Sequence, residues 1–176
     1  MGVGLDDHTY GLPADPESLF RDHYTALVRS LAVAAGDREA AADAVQEAFI
    51  QLCLHWKRVS KYDNPVAWVR RVSINRLSNH RRSLGRCANA LLRLRDQDPQ
   101  PGLDLALPAD LQAALESLPL RQRVAAALYY VEDLPVAEVA RSMGISEGSV
   151  NTRLHRARAA LKPTLEARSC KKTIAN

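Results

Sequence analysis

ISEGSVNTRLHRARAAL, running from Ile145 to Leu161, is the stretch whose reading decides the fold. Its apolar residues Val150, Leu154, Ala157 and Leu161 recur at intervals of four, three and four, which stacks them on one side of a helix. At about 100° per residue, Gly148, Thr152, His155 and Ala159 lie opposite that stripe, with Ser149, Asn151 and Arg156 beside them. Arg153 and Arg158 fall nearer the edges, from where long side chains still reach outward. Ser146 is a ready N-cap. Immediately upstream, Pro135 precedes a second short stripe of Val136, Val139, Ala140 and Met143, and Gly144 stands where a helix ends in a left-handed residue. Two short helices around a glycine turn make a helix-turn-helix. In that motif the second helix enters the DNA major groove, its first turns meet base edges, and nearby arginines grip phosphates. A plain amphipathic helix with a solvated basic face is the alternative; the helix-Gly-Ser-helix order favours DNA.

Outward from this motif the chain reads as all-α. Its 176 residues hold 47% hydrophobic but only 5% aromatic side chains, with no alternating segments of strand length, enough for one medium or two small domains. Upstream of the helix-turn-helix, Leu111, Ala114, Leu115 and Leu118 form one stripe and, after Pro119, Val124, Ala127, Leu128 and Val131 form another that can bury against it. Residues 86–108 contain Asp96, Asp98, Pro99, Pro101, Gly102 and Pro108 and read as a flexible linker, with a short helix expected around Asn89 to Leu94. The expected organisation is a loose tail at 1–14, a helical domain at 15–85, the linker at 86–108, a second helical domain at 109–168 and a short tail at 169–176.

Three helices are expected in the first domain. Asp15-Pro16-Glu17 starts the first, with Leu19, Phe20, Tyr24, Leu27, Val28 and Leu31 as its buried stripe. Asp37 caps the second, which runs to about Trp56 with Ala41, Ala44, Val45, Ala48, Phe49, Leu52 and Trp56 inward. Its outward face carries Asp43, Gln46 and Glu47, and also Ile50 and Leu54, whose apolar character suggests either a partner surface or packing on both sides within the bundle. Asn64-Pro65 starts the third, expected to run to about Leu84 with Val66, Val69, Val72 and Leu77 packed and Arg71, Asn75, Asn79 and Arg82 outward. Arg76 falls near the packed side.

Charge divides the chain sharply. Residues 1–63 hold six Lys/Arg against ten Asp/Glu, whereas residues 64–95 hold eight arginines and no acid, within a total of only +4. Such a block suits a phosphate-binding surface, and its Asn and Arg mixture is the kind that reads base edges and forks onto phosphates; ordinary helix surface is the other reading. No apolar run approaches membrane-spanning length and no signal peptide is visible, so a cytoplasmic protein without membrane insertion is expected. Cys53, Cys87 and Cys170 are widely separated, and neither a disulfide framework nor metal-ligand spacing is present. No phosphate loop, nucleophile elbow or paired-His motif occurs, so no enzyme, cofactor or metal is expected.

Three stretches together carry a family likeness: DAVQEAFIQLCLHW (Asp43 to Trp56), NPVAWVRRVSINRLSNHRR (Asn64 to Arg82) and LPLRQRVAAALYYVEDLPVAEVARSMGISEGSVNTRLHRARAAL (Leu118 to Leu161). In order and spacing they resemble the extracytoplasmic-function sigma factors, the small two-domain type of the bacterial sigma-70 family. The resemblance implies a subunit that binds core RNA polymerase through its β′ and β subunits, directs recognition and melting of promoter DNA, and is held by an anti-sigma factor. It implies polymerase contacts from Asp43, Gln46, Glu47 and Ile50. It implies that Tyr62, Asp63, Asn64, Arg71, Asn75, Arg76, Asn79, Arg81 and Arg82 serve the downstream promoter element, where a flipped base needs a pocket and phosphate anchors. For the upstream element it implies Ser146, Glu147, Ser149, Asn151, Thr152, Arg153, His155, Arg156 and Arg158. Asn151 departs from the Lys or Arg common in the family, and an amide there favours adenine over a simple phosphate contact. Trp56, Tyr62 and Trp68 are the only aromatics near the melting region, fewer than in the housekeeping type, which implies stringent promoter choice. A free-standing helix-turn-helix regulator is the competing reading, weakened by an acid-free basic helix that a ligand sensor does not need.

Overall fold

The computed structural model describes residues 15–91 and 107–174. Among them are seven helices and no strand: α1 Pro16–Ala35, α2 Arg38–Val59, α3 Pro65–Leu91, α4 Ala109–Glu116, α5 Leu120–Tyr130, α6 Val136–Met143 and α7 Glu147–Ile174. The expected all-α fold in two helical halves is therefore present, α1 to α3 in one and α4 to α7 in the other. The loose tail at 1–14 and most of the expected linker lie outside the described residues.

Short polar residues start the helices where the sequence places them. Asp15 Oδ1 accepts from the Ser18 amide at 2.8 Å, Asp37 Oδ1 from Ala40 at 2.9 Å, and Asn64 Oδ1 from Ala67 at 2.8 Å, each satisfying a donor with no partner inside its helix. Gly36 closes α1 with φ at 71°, and its amide reaches the Ala32 carbonyl. Two helix ends overrun expectation. α3 continues through Gly85 to Leu91 because the residues around that lone glycine, among them Leu84, Arg86, Ala88 and Ala90, are good helix formers, and one glycine costs only about 1 kcal/mol. The expected helix near Asn89 is thus the end of α3. α7 likewise carries on past Ala167, with Pro163 inside it, so the expected C-terminal tail is helical to Ile174.

The inward stripes of the two halves share one main core, beside which Leu118, Ala126 and Ala157 form a small separate cluster. Leu19, Leu27, Leu31, Val45, Leu52, Val69 and Leu77 of the first half join Val124, Leu128, Val139, Val150 and Leu154 of the second in a continuous buried cluster. α1 packs on α2 and α2 on α3; α5 lies against α1, and α6 against α3. Trp56 and Trp68 pack against this core and are partly buried. Phe20 departs from its expected place. It is 41% exposed, stacked on Tyr24 at 4.5 Å between ring centroids and edge-on to Phe49 at 5.0 Å, because Leu19 has taken the inward position of that turn.

Leu128 has no exposed surface and lies in the helix that joins the halves, so Leu128→Ala should cost about 2–5 kcal/mol in urea unfolding. The loss should appear in a single transition; two separated transitions would mean that the halves unfold independently.

Candidate nucleic-acid interface

The helix-turn-helix is built as its residues dictate. Gly144 takes φ 64°, a conformation that costs glycine nothing sterically, and its amide reaches the Arg141 carbonyl at 3.3 Å. Ser146 Oγ then accepts from the Ser149 amide at 3.2 Å and starts α7. Val150, Leu154 and Ala157 are buried, which turns Glu147, Gly148, Asn151, Thr152, His155 and Arg156 to the surface, with Ser149 and Arg153 half-buried. Thr152 Oγ1 donates to the Gly148 carbonyl at 2.9 Å and Arg153 Nη1 to the Ser149 carbonyl at 3.1 Å, so both lie along the helix. Arg158 is held by two aromatics: its Nε donates to the Tyr130 hydroxyl at 2.5 Å, and its guanidinium carbon sits 5.9 Å from the ring centroids of both Tyr129 and Tyr130.

Helix α3 presents the second basic face. Arg71, Asn75, Asn79, Arg81 and Arg82 are exposed, and Arg82 Nη2 donates to Asn79 Oδ1 at 2.9 Å, so amide and guanidinium form one cluster. Tyr62 and Asp63 stand exposed on the turn before it. Arg76 is drawn away, its Nη2 lying 3.0 Å from Glu47 Oε1 on α2. Asn64 is occupied at both ends of its amide, since Oδ1 caps α3 and Nδ2 donates to Glu138 Oε2 of α6 at 2.8 Å.

The outward face of α2 is where the sequence puts it. Asp43, Gln46 and Ile50 are exposed and Leu54 is 70% exposed, which decides for a surface rather than a second packed side. Asp43 and Glu47 share a groove with Arg76, Asn79 and His80 of α3, while Gln46, Phe49, Ile50 and Cys53 share an apolar one with Phe20 of α1. One helix therefore offers an acidic edge and an apolar edge side by side.

Two buried arginines were not singled out from sequence. Arg70 shares a stripe with Val66, Ile74 and Leu77 at spacings of four and seven, a signal that its neighbours in a basic run obscure. Its Nε lies 2.9 Å from Glu132 Oε2, and the two side chains are 8% and 2% exposed. Arg123 is buried on α5 with its Nε unpaired. Burial and the nearby Arg81 cation lower its pKa, partly opposed by Glu116. Among the described residues no cluster of side chains suits a metal ion, and no helix is long and apolar enough to cross a membrane.

Family models match both halves: sigma-70 region 2 over residues 19–87 and sigma-70 region 4 over residues 109–161. The ECF RNA polymerase sigma factor SigE of Mycolicibacterium smegmatis is 32% identical over 180 residues, covering 96% of this chain and 69% of that protein. The chain belongs to the sigma-70 family. Its relatives within the family include further ECF sigma factors, among them SigL of Mycobacterium tuberculosis, 31% identical over 160 residues with 85% and 88% of the two chains covered. Another is SigF of Caulobacter vibrioides, 36% identical over 143 residues with 77% and 74% covered. The sigma factor's fold is shared with RpoE of Bartonella quintana, solved with the anti-sigma factor NepR, at a TM-score of 0.69 over 85% of this chain and 96% of that one, with 22% identity.

His23 of α1 reports on the junction between the halves. Burial lowers its pKa from 6.5, Arg70 lowers it further, and Asp22 and Glu132 oppose them. The folded state thus favours neutral imidazole, and the stability this retains above pH 6.5 is lost as pH falls through the lowered value. Urea titrations from about pH 7 to about pH 5 should show a shallower loss in His23→Gln than in the natural chain. Equal slopes would remove His23 from the balance.

Proposed function

We propose that this sigma factor docks on core RNA polymerase through the exposed face of α2, opens the downstream promoter element with α3, and reads the upstream element with the first turns of α7. The observation that carries this reading is the pairing, in one chain, of a helix-turn-helix with a second, acid-free basic helix whose Asn79 and Arg82 are already clustered on its surface. A regulator that binds only duplex DNA needs the first; a factor that also captures an opened strand needs both.

Each surface suits its assignment chemically. Asp43 and Gln46 offer polar contacts beside exposed Ile50 and Leu54, an arrangement fit for a partner helix that is apolar with a basic margin. Asn75, Arg81 and Arg82 supply base-edge and phosphate contacts, with Tyr62, 38% exposed, at the end where an unstacked base would lodge. On α7, exposed Asn151 and Thr152 suit base-edge contacts, and Arg156 with the tyrosine-held Arg158 suits the flanking phosphates. The chain contributes no bond-making chemistry on this reading, acts inside the cytoplasm, and is held by an anti-sigma factor, as the RpoE structure with NepR illustrates for that protein.

Purified chain mixed with sigma-free bacterial core RNA polymerase should co-elute in size exclusion and start transcription at defined sites on genomic fragments. Duplex binding without co-elution would favour a free-standing regulator. Glu47→Lys should weaken co-elution at least roughly tenfold, because it reverses charge on the docking face and breaks the pair with Arg76. Arg71→Ala with Arg82→Ala should leave co-elution intact and lower promoter opening, read by permanganate reactivity of unpaired thymines. Loss of co-elution instead would overturn the division of surfaces.

A further inference from the structure

We propose that Tyr130 is a positioning residue for promoter binding: with Tyr129 it aims Arg158 at a phosphate of the upstream element and leaves the arginine's charge whole. This rests on the assignment of α7 to that element. Arg158 Nε donates to the Tyr130 hydroxyl at 2.5 Å, reaching from α7 to α5, and the guanidinium carbon lies 5.9 Å from the centroids of both tyrosine rings. Tyr129 is partly buried and packs against the main core, and Tyr130 meets it edge-on, with 4.9 Å between centroids and 85° between planes. The pair of rings is therefore rooted in the interior at one end and open to solvent at the other, where Tyr130 is 53% exposed.

The chemistry of its partners sets this arginine apart. Arg21, Arg70, Arg76 and Arg141 each lie 2.8–3.0 Å from a glutamate oxygen. A carboxylate fixes a guanidinium, but it also cancels the field that a second anion would feel and competes for the N–H fork that a phosphate takes. A phenol hydroxyl and two aromatic rings carry no net charge, so they fix the group without neutralising it. The hydroxyl engages Nε, which leaves the Nη1 and Nη2 pair as a fork for phosphate oxygens.

Position along the helix separates this duty from base reading. Arg158 is exposed, one residue after buried Ala157, and it stands seven residues past Asn151, about 10 Å farther along the axis of α7. With the first turns of α7 in the major groove, that offset brings Arg158 to the wall of the groove, where the contact is to backbone and not to a base. An arginine free to rotate gives up its rotamer freedom when it meets a phosphate. One already held by tyrosines has given it up beforehand, so more of the contact appears as affinity.

Holoenzyme assembled from the full chain and sigma-free core polymerase, titrated across a range of salt onto a promoter fragment recovered by the transcription assay, tests this. Arg158→Ala should weaken binding and reduce the slope of log affinity against log salt by about one, as loss of one phosphate contact does. Tyr130→Phe keeps the ring and removes only the hydroxyl. It should weaken binding roughly fivefold in the natural chain and have no effect in the Arg158→Ala background, a coupling that a merely structural role for the hydroxyl would not produce. Equal losses in both backgrounds, or full affinity in Tyr130→Phe, overturn the proposal. Asn151→Ala separates the two ways of failing. If Asn151→Ala and Arg158→Ala both leave promoter binding unaltered, the assignment of α7 falls, and the tyrosine role with it. If Asn151→Ala weakens binding while Tyr130→Phe shows no coupling to Arg158, the assignment of α7 stands and the tyrosine role alone is overturned.

Discussion

A guanidinium and a carboxylate withdrawn from water together decide how the two halves of this chain sit. Separately, Arg70 on α3 and Glu132 beyond α5 would each remain solvated at no cost; buried, each ion loses hydration worth several kcal/mol. Only a partner at hydrogen-bonding distance offsets that, and only one mutual placement of the halves provides it, with Ser30 completing the carboxylate. The apolar contact between α1 and α5 supplies the attraction, which is tolerant of sliding. The ion pair supplies the register, which is not. Hydrophobic burial therefore explains that the halves meet, and one buried charge pair explains where.

Charge on α3 is balanced from outside the helix. The α3 helix carries its arginines without acids of its own, so its neutralising partners come from elsewhere: Glu47 on α2 meets Arg76, and Glu132 meets Arg70. A helix with internal acids would satisfy itself locally and bind neither half of the protein nor a nucleic acid strongly. By exporting the counter-charges, the chain makes α3 sticky toward any anion of suitable shape. Glutamates from α2 and from the turn after α5 fill that role.

Much of this was legible in the sequence because it is local. Helix starts follow from Asp15, Asp37, Asn64 and Ser146, whose side chains cap their own helices, and the inward stripes follow from a period of 3.6. The outward faces of α7 and α2 follow from the same periodicity, with Phe20 a local exception because Leu19 competes for the same inward position. The arrangement of the halves was not legible, since nothing near Arg70 in the chain distinguishes it from Arg71. One faces the core and the other the solvent by a rotation of 100°, and the residue that stabilises the buried one comes sixty-two positions later. The dual use of Asn64 escaped for the same reason: its capping role is visible three residues away, its partner Glu138 seventy-four away.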